Sequence, residues 1–272
     1  MKNISMRRLF KRFAFCLSAL IFRDKSPKVI YYHDIGVTHT KMGTPFELFK
    51  HHVGAAKASG YEYVSWNDFG KGTDDCKKEI LLCFDDGFRG VYDFREYFCS
   101  EGIRPLVFVA VGLVGTPGHL TWAEMAELQE LGFSFQSHTW SHQTLAGPGI
   151  EALSGQIIER TDVWFEHELR DSKAVLEREL GNKVMALCFP AGRFSEDALQ
   201  RCHDVAYTEL YTSIPGALRV LDQVVGIDGC RLIPRHLCQD LTVGEFLNVL
   251  KGGLKPFMRY YLKRHFEKEK GV

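Results

Sequence analysis

The sequence predicts an α/β fold, a (β/α) barrel of about seven units that is either whole or incomplete, and three observations carry that expectation. Short apolar runs alternate with longer segments whose apolar residues recur every three or four positions. The alternation persists from Lys28 onward with no Pro/Ser-rich linker, low-complexity stretch or internal repeat, so residues 28–250 read as one domain. The chain has 272 residues, enough for the core such a barrel needs. A doubly wound open sheet fits the same alternation and is the competing architecture.

In chain order, residues 29–33 open the domain as a strand, and 46–59 follow as a helix with one apolar face. Residues 80–84 are five consecutive apolar residues, as expected of a parallel strand covered on both faces. A helix over 90–100 and a strand over 105–109 come next. Thr121 is placed to cap a helix over 122–131. Residues 133–137 and 184–189 read as strands on either side of a long charged helix, 157–180, which Gly181-Asn182 would stop. A helix over 195–202, a weaker strand near 206–211, a last strand over 231–234 and a helix over Val243–Leu250 complete the set.

Composition excludes some classes. Apolar residues make up 45% and charged residues 25%, which argues against disorder. Lys+Arg and Asp+Glu both count 34, so no net field draws the molecule to nucleic acid. None of the eight cysteines forms a C-x-x-C pair, and Cys83 and Cys188 sit in apolar runs, so they read as reduced core thiols. In residues 1–27, basic residues around Arg7, Arg8, Lys11 and Arg12 precede an apolar run, 13–22, that is too short to span a bilayer. Arg23-Asp24-Lys25 follows without a small-x-small cleavage pattern. The expectation is peripheral contact with an anionic membrane, with a signal or anchor as the alternative. Residues 251–272 read as a basic, aromatic C-terminal helix, and the cytoplasmic face of the membrane is favoured over export.

The chemically capable residues fall where strands end: His33-Asp34, Asp85-Asp86-Gly87, His138, Pro190-Ala191-Gly192 and Arg235-His236. Parallel barrels and open α/β sheets assemble their sites at the carboxyl ends of strands. Adjacent carboxylates repel unless a cation stands beside them, so one of Asp85 and Asp86 can bind a metal while the other faces water. A capping Asp-Asp-Gly turn is the bland alternative. In His138-Thr139-Trp140-Ser141-His142 the histidines stand at i and i+4, which on a helical turn places both on one face. With one carboxylate they make a three-ligand site with open positions. Either motif alone has an ordinary structural reading; the two together favour the metal site.

These residues resemble the polysaccharide deacetylases (the NodB-homology domain, carbohydrate esterase family four). Phe84-Asp85-Asp86-Gly87 is similar to that family's first motif, Ser137 through His142 to the second, and Phe189-Pro190-Ala191-Gly192 to the third, which usually ends Pro-Tyr-Gly. The resemblance implies a distorted (β/α)7 barrel and a hydrolase removing an N-acetyl group from a hexosamine, in a cell-envelope polysaccharide or its lipid-linked precursor. It implies Asp85 as general base and Asp86, His138 and His142 as ligands of a divalent metal, Zn2+ first, with Co2+, Ni2+ or Fe2+ as alternatives. Pro190, Ala191, Gly192, Arg235 and Trp140 form the implied substrate and oxyanion set, with the Ala191 N–H as donor. Trp140 reads equally well as core packing.

The chain departs from the pattern in two places. It has no Leu-x-His near its C-terminus to supply the acid. The strand Ile30-Tyr31-Tyr32-His33 instead resembles a circularly permuted subgroup typified by poly-N-acetylglucosamine deacetylases, which implies His33 as general acid, with His236 as its rival. The arginine that steers the base is also missing from the third motif, where Cys188 stands, and Arg235 or Arg231 is the candidate replacement. Phe88 and Arg89 read as helix capping and packing, and His51-His52 as surface residues. His39, His119, His167, His203 and His265 show no partner spacing. The competing functions are a related amidohydrolase on a non-glycan amide, a non-catalytic glycan-binding relative, and a two-His-one-carboxylate iron oxygenase.

Overall fold

The computed structural model describes residues 26–36, 42–70, 78–146, 149–150, 157–158, 160–216, 229–254 and 257–267. Residues 1–25, and with them nearly all of the basic N-terminal segment, lie outside these, as does His39. The principal strands are β1 (Lys28–Tyr32), β2 (Glu79–Phe84), β3 (Leu106–Val109), β4 (Ser134–Ser137), β5 (Ala186–Cys188), β6 (Glu209–Tyr211), β7 (Arg231–Ile233) and β8 (His236–Leu237). Every pairing among them is parallel, in the order β7-β6-β5-β4-β3-β2-β1-β8. The two ends of that row belong to one stretch of chain. Its first half pairs with β6, Tyr211 opposite Ile233, and its second half pairs with β1, Ile30 opposite His236. The sheet therefore curls until it meets itself across Pro234 and Arg235, which is the (β/α) barrel the sequence predicted rather than the open sheet.

The strands are buried on both faces, as parallel strands with helical crossovers must be. Val29, Tyr31, Leu81, Cys83, Leu106, Phe108, Cys188 and Tyr211 pack on one another inside the curl. Their alternate neighbours Ile30, Tyr32, Ile80, Leu82, Phe84 and Val107 face outward against the helices. The longer helices are α1 (Phe46–Ala58), α2 (Arg95–Ser100), α3 (Trp122–Glu130), α4 (Ser172–Leu180), α5 (Glu196–Asp204), α6 (Val243–Leu250) and α7 (Met258–His265). Thr121 caps α3 and, with Glu124, forms a capping box.

Three expectations need correction. The helix read over 90–100 is interrupted at Phe94, whose φ of −107° leaves the helical range, so α2 begins only at Arg95. The helix read over 157–180 starts at Asp162, capped by Thr161, because Ile157–Ile158 pairs antiparallel with Gly149–Ile150. That helix also contains a widened π turn, Glu166–Asp171, which no periodicity announces. Third, His52 is fully buried on α1 while His51 is exposed. It is admitted to the core because both ring nitrogens are occupied: Tyr32 Oη lies 2.8 Å from Nδ1 and the Leu241 carbonyl 3.0 Å from Nε2.

Candidate active site

β2 delivers the first pair of acids. The Asp85 N–H donates to the Tyr32 carbonyl at 3.0 Å, extending the ladder by one residue. The chain then turns sharply, with Asp86 at φ 69° and Gly87 at φ 74°. Aspartate and glycine are among the residues that accept this left-handed region, and the turn separates the two carboxylates.

Asp85 is clamped. Arg235 Nη1 and Nη2 donate to its two carboxylate oxygens at 2.7 and 2.8 Å, and Arg235 Nε donates to the Thr212 carbonyl at 3.0 Å. The guanidinium lies over the rings of Tyr31 and Phe108, at 4.0 and 5.4 Å, and Arg235 is 1% exposed. Its Nη2 also approaches Cys188 Sγ at 2.9 Å, so a short thiol at that position leaves room for an arginine arriving from the far strand. Burial alone would raise the Asp85 carboxyl, but the Arg235 charge and hydrogen bonds outweigh it and hold Asp85 below the usual carboxylate range. Arg235, expected among the substrate-facing residues, thus lies beneath the base, outside the cavity wall. Arg231 is exposed and pairs with Glu209 at 3.5 Å.

Asp86 faces imidazoles instead. His138 Nε2 stands 3.2 Å and His142 Nε2 3.0 Å from Asp86 Oδ1. Burial would raise the Asp86 carboxyl, yet the two rings outweigh it and hold it well below the carboxylate range. For His142, burial works downward, and Asp86 more than offsets it, leaving the imidazole raised. The segment joining the two histidines is not the helical turn expected from their spacing. Thr139 (φ 67°) and His142 (φ 60°) are left-handed, so an irregular loop brings the rings together.

The donor set fits a divalent metal. His138 Nδ1 lies 2.7 Å from the Cys188 carbonyl, an acceptor only, so a neutral His138 carries its proton there. Its Nε2 lone pair then points at the Asp86 carboxylate, and Asp86 Oδ1, though buried, makes no hydrogen bond of acceptable geometry. Two lone pairs held face to face need a cation between them, either a proton on the ring or a metal ion. Asp86, His138 and His142 offer two imidazole nitrogens and one oxygen, the usual set for a catalytic metal with open positions.

A cavity of about 250 Å³ opens over this group. Asp85, Asp86, His138 and His142 form its floor, and Ala191, Gly192 and His33 line its wall. Ala191 and Gly192 are both left-handed (φ 52° and 64°), and a Cβ on Gly192 would fall 2.4 Å from Ser213. Pro190 is buried. His33 Nδ1 lies 2.7 Å from Gln239 Oε1, an acceptor, so Nδ1 carries a proton and Nε2 is left as the ring's second face. His236 is 3% exposed and does not line the cavity. Trp140 does not line it either; its indole packs against Gly112 and His167. Phe88 stacks on His119 and Arg89 pairs with Glu124, as capping and packing residues do. A second hollow, about 360 Å³, lies beside Trp66, Phe133 and Met185, and none of the site residues lines it.

Sequence reading missed Gln239, Ser213 and His265. His265, the last residue of α7, lines the cavity with its Nδ1 2.9 Å from the Tyr261 carbonyl. No spacing joins these residues to the motifs; only the barrel's closure brings them near.

Residues 72–210 match the family described as polysaccharide deacetylase. A curated Bacillus subtilis protein, YxkH, is 26% identical over 207 residues, covering 74% of this chain and 70% of that protein. Among solved structures, the Streptococcus pyogenes deacetylase PplD in complex with acetate superposes with a TM-score of 0.67 at 21% identity, covering 84% of this chain and 99% of its own. The polysaccharide deacetylase BC0361 of Bacillus cereus gives 0.67 at 23%, covering 84% and 70%, and IcaB from Ammonifex degensii gives 0.66 at 18%, covering 85% and 98%. Identities this low speak for the shared fold, and the match over 72–210 speaks for descent: the chain belongs to the polysaccharide deacetylase family.

Proposed function

We propose that this hydrolase removes an N-acetyl group from a hexosamine in a cell-envelope polysaccharide or its lipid-linked precursor, with a divalent metal, Zn2+ in the first place, held by Asp86, His138 and His142. The observation that carries the reading is the convergence of three ligand atoms on one side of an arginine-clamped, ionised Asp85. When bound, such an ion polarises the acetyl carbonyl and acidifies a water.

The chain's own groups divide the remaining work. Asp85 accepts the proton of the attacking water, and the two-point grip of Arg235 fixes the carboxylate's direction. The Ala191 N–H, on the cavity wall, donates to the oxygen that gains charge as the carbonyl is attacked. His33, oriented through the Nδ1 proton it gives to Gln239, acts as an imidazolium and passes its second proton, from Nε2, to the leaving nitrogen, so amide and water become amine and acetate. The position of His33 at the end of β1 and the arrival of Arg235 on the last strand support the permuted arrangement. The exposed basic residues of α7, Arg259, Lys263 and Arg264, and the buried free thiols support action at the cytoplasmic face of an anionic membrane.

The test is acetate release from N-acetylated hexosamine oligomers and from lipid-linked sugars by metal-loaded wild type, chelator-treated wild type and Asp85→Asn. Metal-dependent release that falls at least ~100-fold in Asp85→Asn is expected. Bound metal without acetate from any glycan would shift the reading to a non-glycan amide.

A further inference from the structure

The loop that carries both histidine ligands has no strand or helix of its own to fix it. Its carbonyls are taken from one side, where the N–H groups of Val111 and Gly112 donate to Thr139 and Trp140 at 3.1 and 2.8 Å. Its N–H groups are taken from the other side by a single carboxylate. Glu168 Oε2 accepts from the Trp140 N–H at 3.0 Å and the Ser141 N–H at 2.9 Å, and Oε1 accepts from the Ser141 hydroxyl at 2.6 Å. Glu168 is 1% exposed, and no other donor is recorded on its side chain among the described residues. Acidic side chains are rarely this buried unless they are fully satisfied. All three donors lie between the two ligands in sequence, in a segment whose Thr139 and His142 hold left-handed backbone that neither favours intrinsically. The widened turn Glu166–Asp171 falls on Glu168 itself, and such turns recur where a helix must re-aim a side chain at a site.

We propose that Glu168 is a positioning residue for the metal centre: it holds the 138–142 loop in the one conformation that presents His138 and His142 to the same point. The proposal rests on the metal-site reading above. Glu168 touches neither metal nor substrate, so its contribution lies in preorganising ligands whose unbound loop would otherwise sample other conformations. The chemistry distinguishes it from a carboxylate acting through charge. A glutamine at 168 can keep all three contacts, its amide oxygen taking both backbone N–H groups and its NH2 donating to a rotated Ser141 hydroxyl. An alanine keeps none.

The experiment measures the affinity of metal-free full-length protein for Zn2+ by chelator competition, and the visible spectrum with Co2+, for wild type, Glu168→Ala, Glu168→Gln, Ser141→Ala and Asp86→Ala. Wild type is expected to bind one ion, and Asp86→Ala to lose it; if wild type binds none, or Asp86→Ala binds as wild type does, the metal reading itself fails. With that established, Glu168→Ala is expected to weaken affinity ~10- to 100-fold and broaden the Co2+ bands, with Glu168→Gln within about threefold of wild type. Ser141→Ala, which removes one contact of the three, is expected to fall between and keeps the test decisive should Glu168→Ala not fold. Affinities of Glu168→Ala and Ser141→Ala within about twofold of wild type, or a Glu168→Gln as weak as the alanine, would overturn the assignment.

Discussion

Asp85 and Asp86 are neighbours in the chain, and the two halves of the site built on them are opposites. The Asp85 half is complete within the protein, because a permanent cation grips both carboxylate oxygens and is itself tied to the Thr212 carbonyl. The Asp86 half has no permanent cation: Asp86 Oδ1 lies 3.2 and 3.0 Å from two imidazole nitrogens and makes no hydrogen bond of acceptable geometry. Both acids are held below the normal carboxylate range, by Arg235 in one case and by the imidazoles in the other. The difference shows how a fold can keep two adjacent acids ionised with different partners: one faces a permanent cation, and the other faces two imidazoles that could share a metal with it.

The sharpest way to break that comparison is to remove each partner in turn. Arg235→Leu leaves Asp85 buried without its cation, and losing one member of a buried ion pair costs ~3–5 kcal/mol. Asp86→Asn removes a carboxylate held by two imidazoles rather than by a permanent cation, so the metal-free protein is expected to lose less, about 1–3 kcal/mol. Urea unfolding of the two metal-free variants beside wild type measures both. Equal losses would mean that the two halves are not distinct in kind.

The wall of the cavity gives the next contrast. His33 lines it and His236, on the strand that pairs with β1, does not. His33→Ala is expected to lower kcat ~100-fold or more while His236→Ala stays within about threefold, read by acetate release. The reverse pattern would move the acid to His236.

Much of this was legible in the chain. Continuous apolar runs such as Ile80 to Phe84 announced strands covered on both faces, and the clustering of acids and histidines after those runs announced which end of the barrel to inspect. The Asp-Asp-Gly and His-x-x-x-His spacings singled out residues that the fold does bring together. What stayed hidden depends on closure rather than on neighbours. The sequence offers both Arg235 and Arg231 as the arginine that steers the base, and only the strand shared between β6 and β1 distinguishes them, by carrying Arg235 to Asp85 across 150 positions; α7 likewise carries His265 to the cavity rim. Local pattern also misjudged the ligand loop, because a spacing of four suggests a helix unless one knows that Glu168 and the 111–112 backbone hold it otherwise.

His52 failed for the same reason and sharpens the comparison of buried titratable groups. Its partners, the Tyr32 hydroxyl and the Leu241 carbonyl, are neutral, so burial is only partly offset by the bond to Leu241, and its pKa falls from 6.5 to about 4. Between those values the unfolded chain takes up a proton that the folded chain refuses. Stability must therefore fall as pH drops from about 6.5 toward 4, by up to ~1.4 kcal/mol per pH unit for one proton, and the loss levels off below the folded value. The two aspartates act in a lower window: their stabilisation is present above the ordinary carboxylate value and is lost only as pH falls through their depressed folded values. His119 and His265 are also lowered by burial and His142 is raised, so the wild-type slope alone is a sum. Subtracting His52→Gln isolates the core histidine: denaturant midpoints of the metal-free proteins from pH 7 to pH 5 should converge as the wild type loses what the variant no longer has to lose. Parallel curves would mean that His52 titrates normally, and that burial without a charged partner does not shift a group in this core.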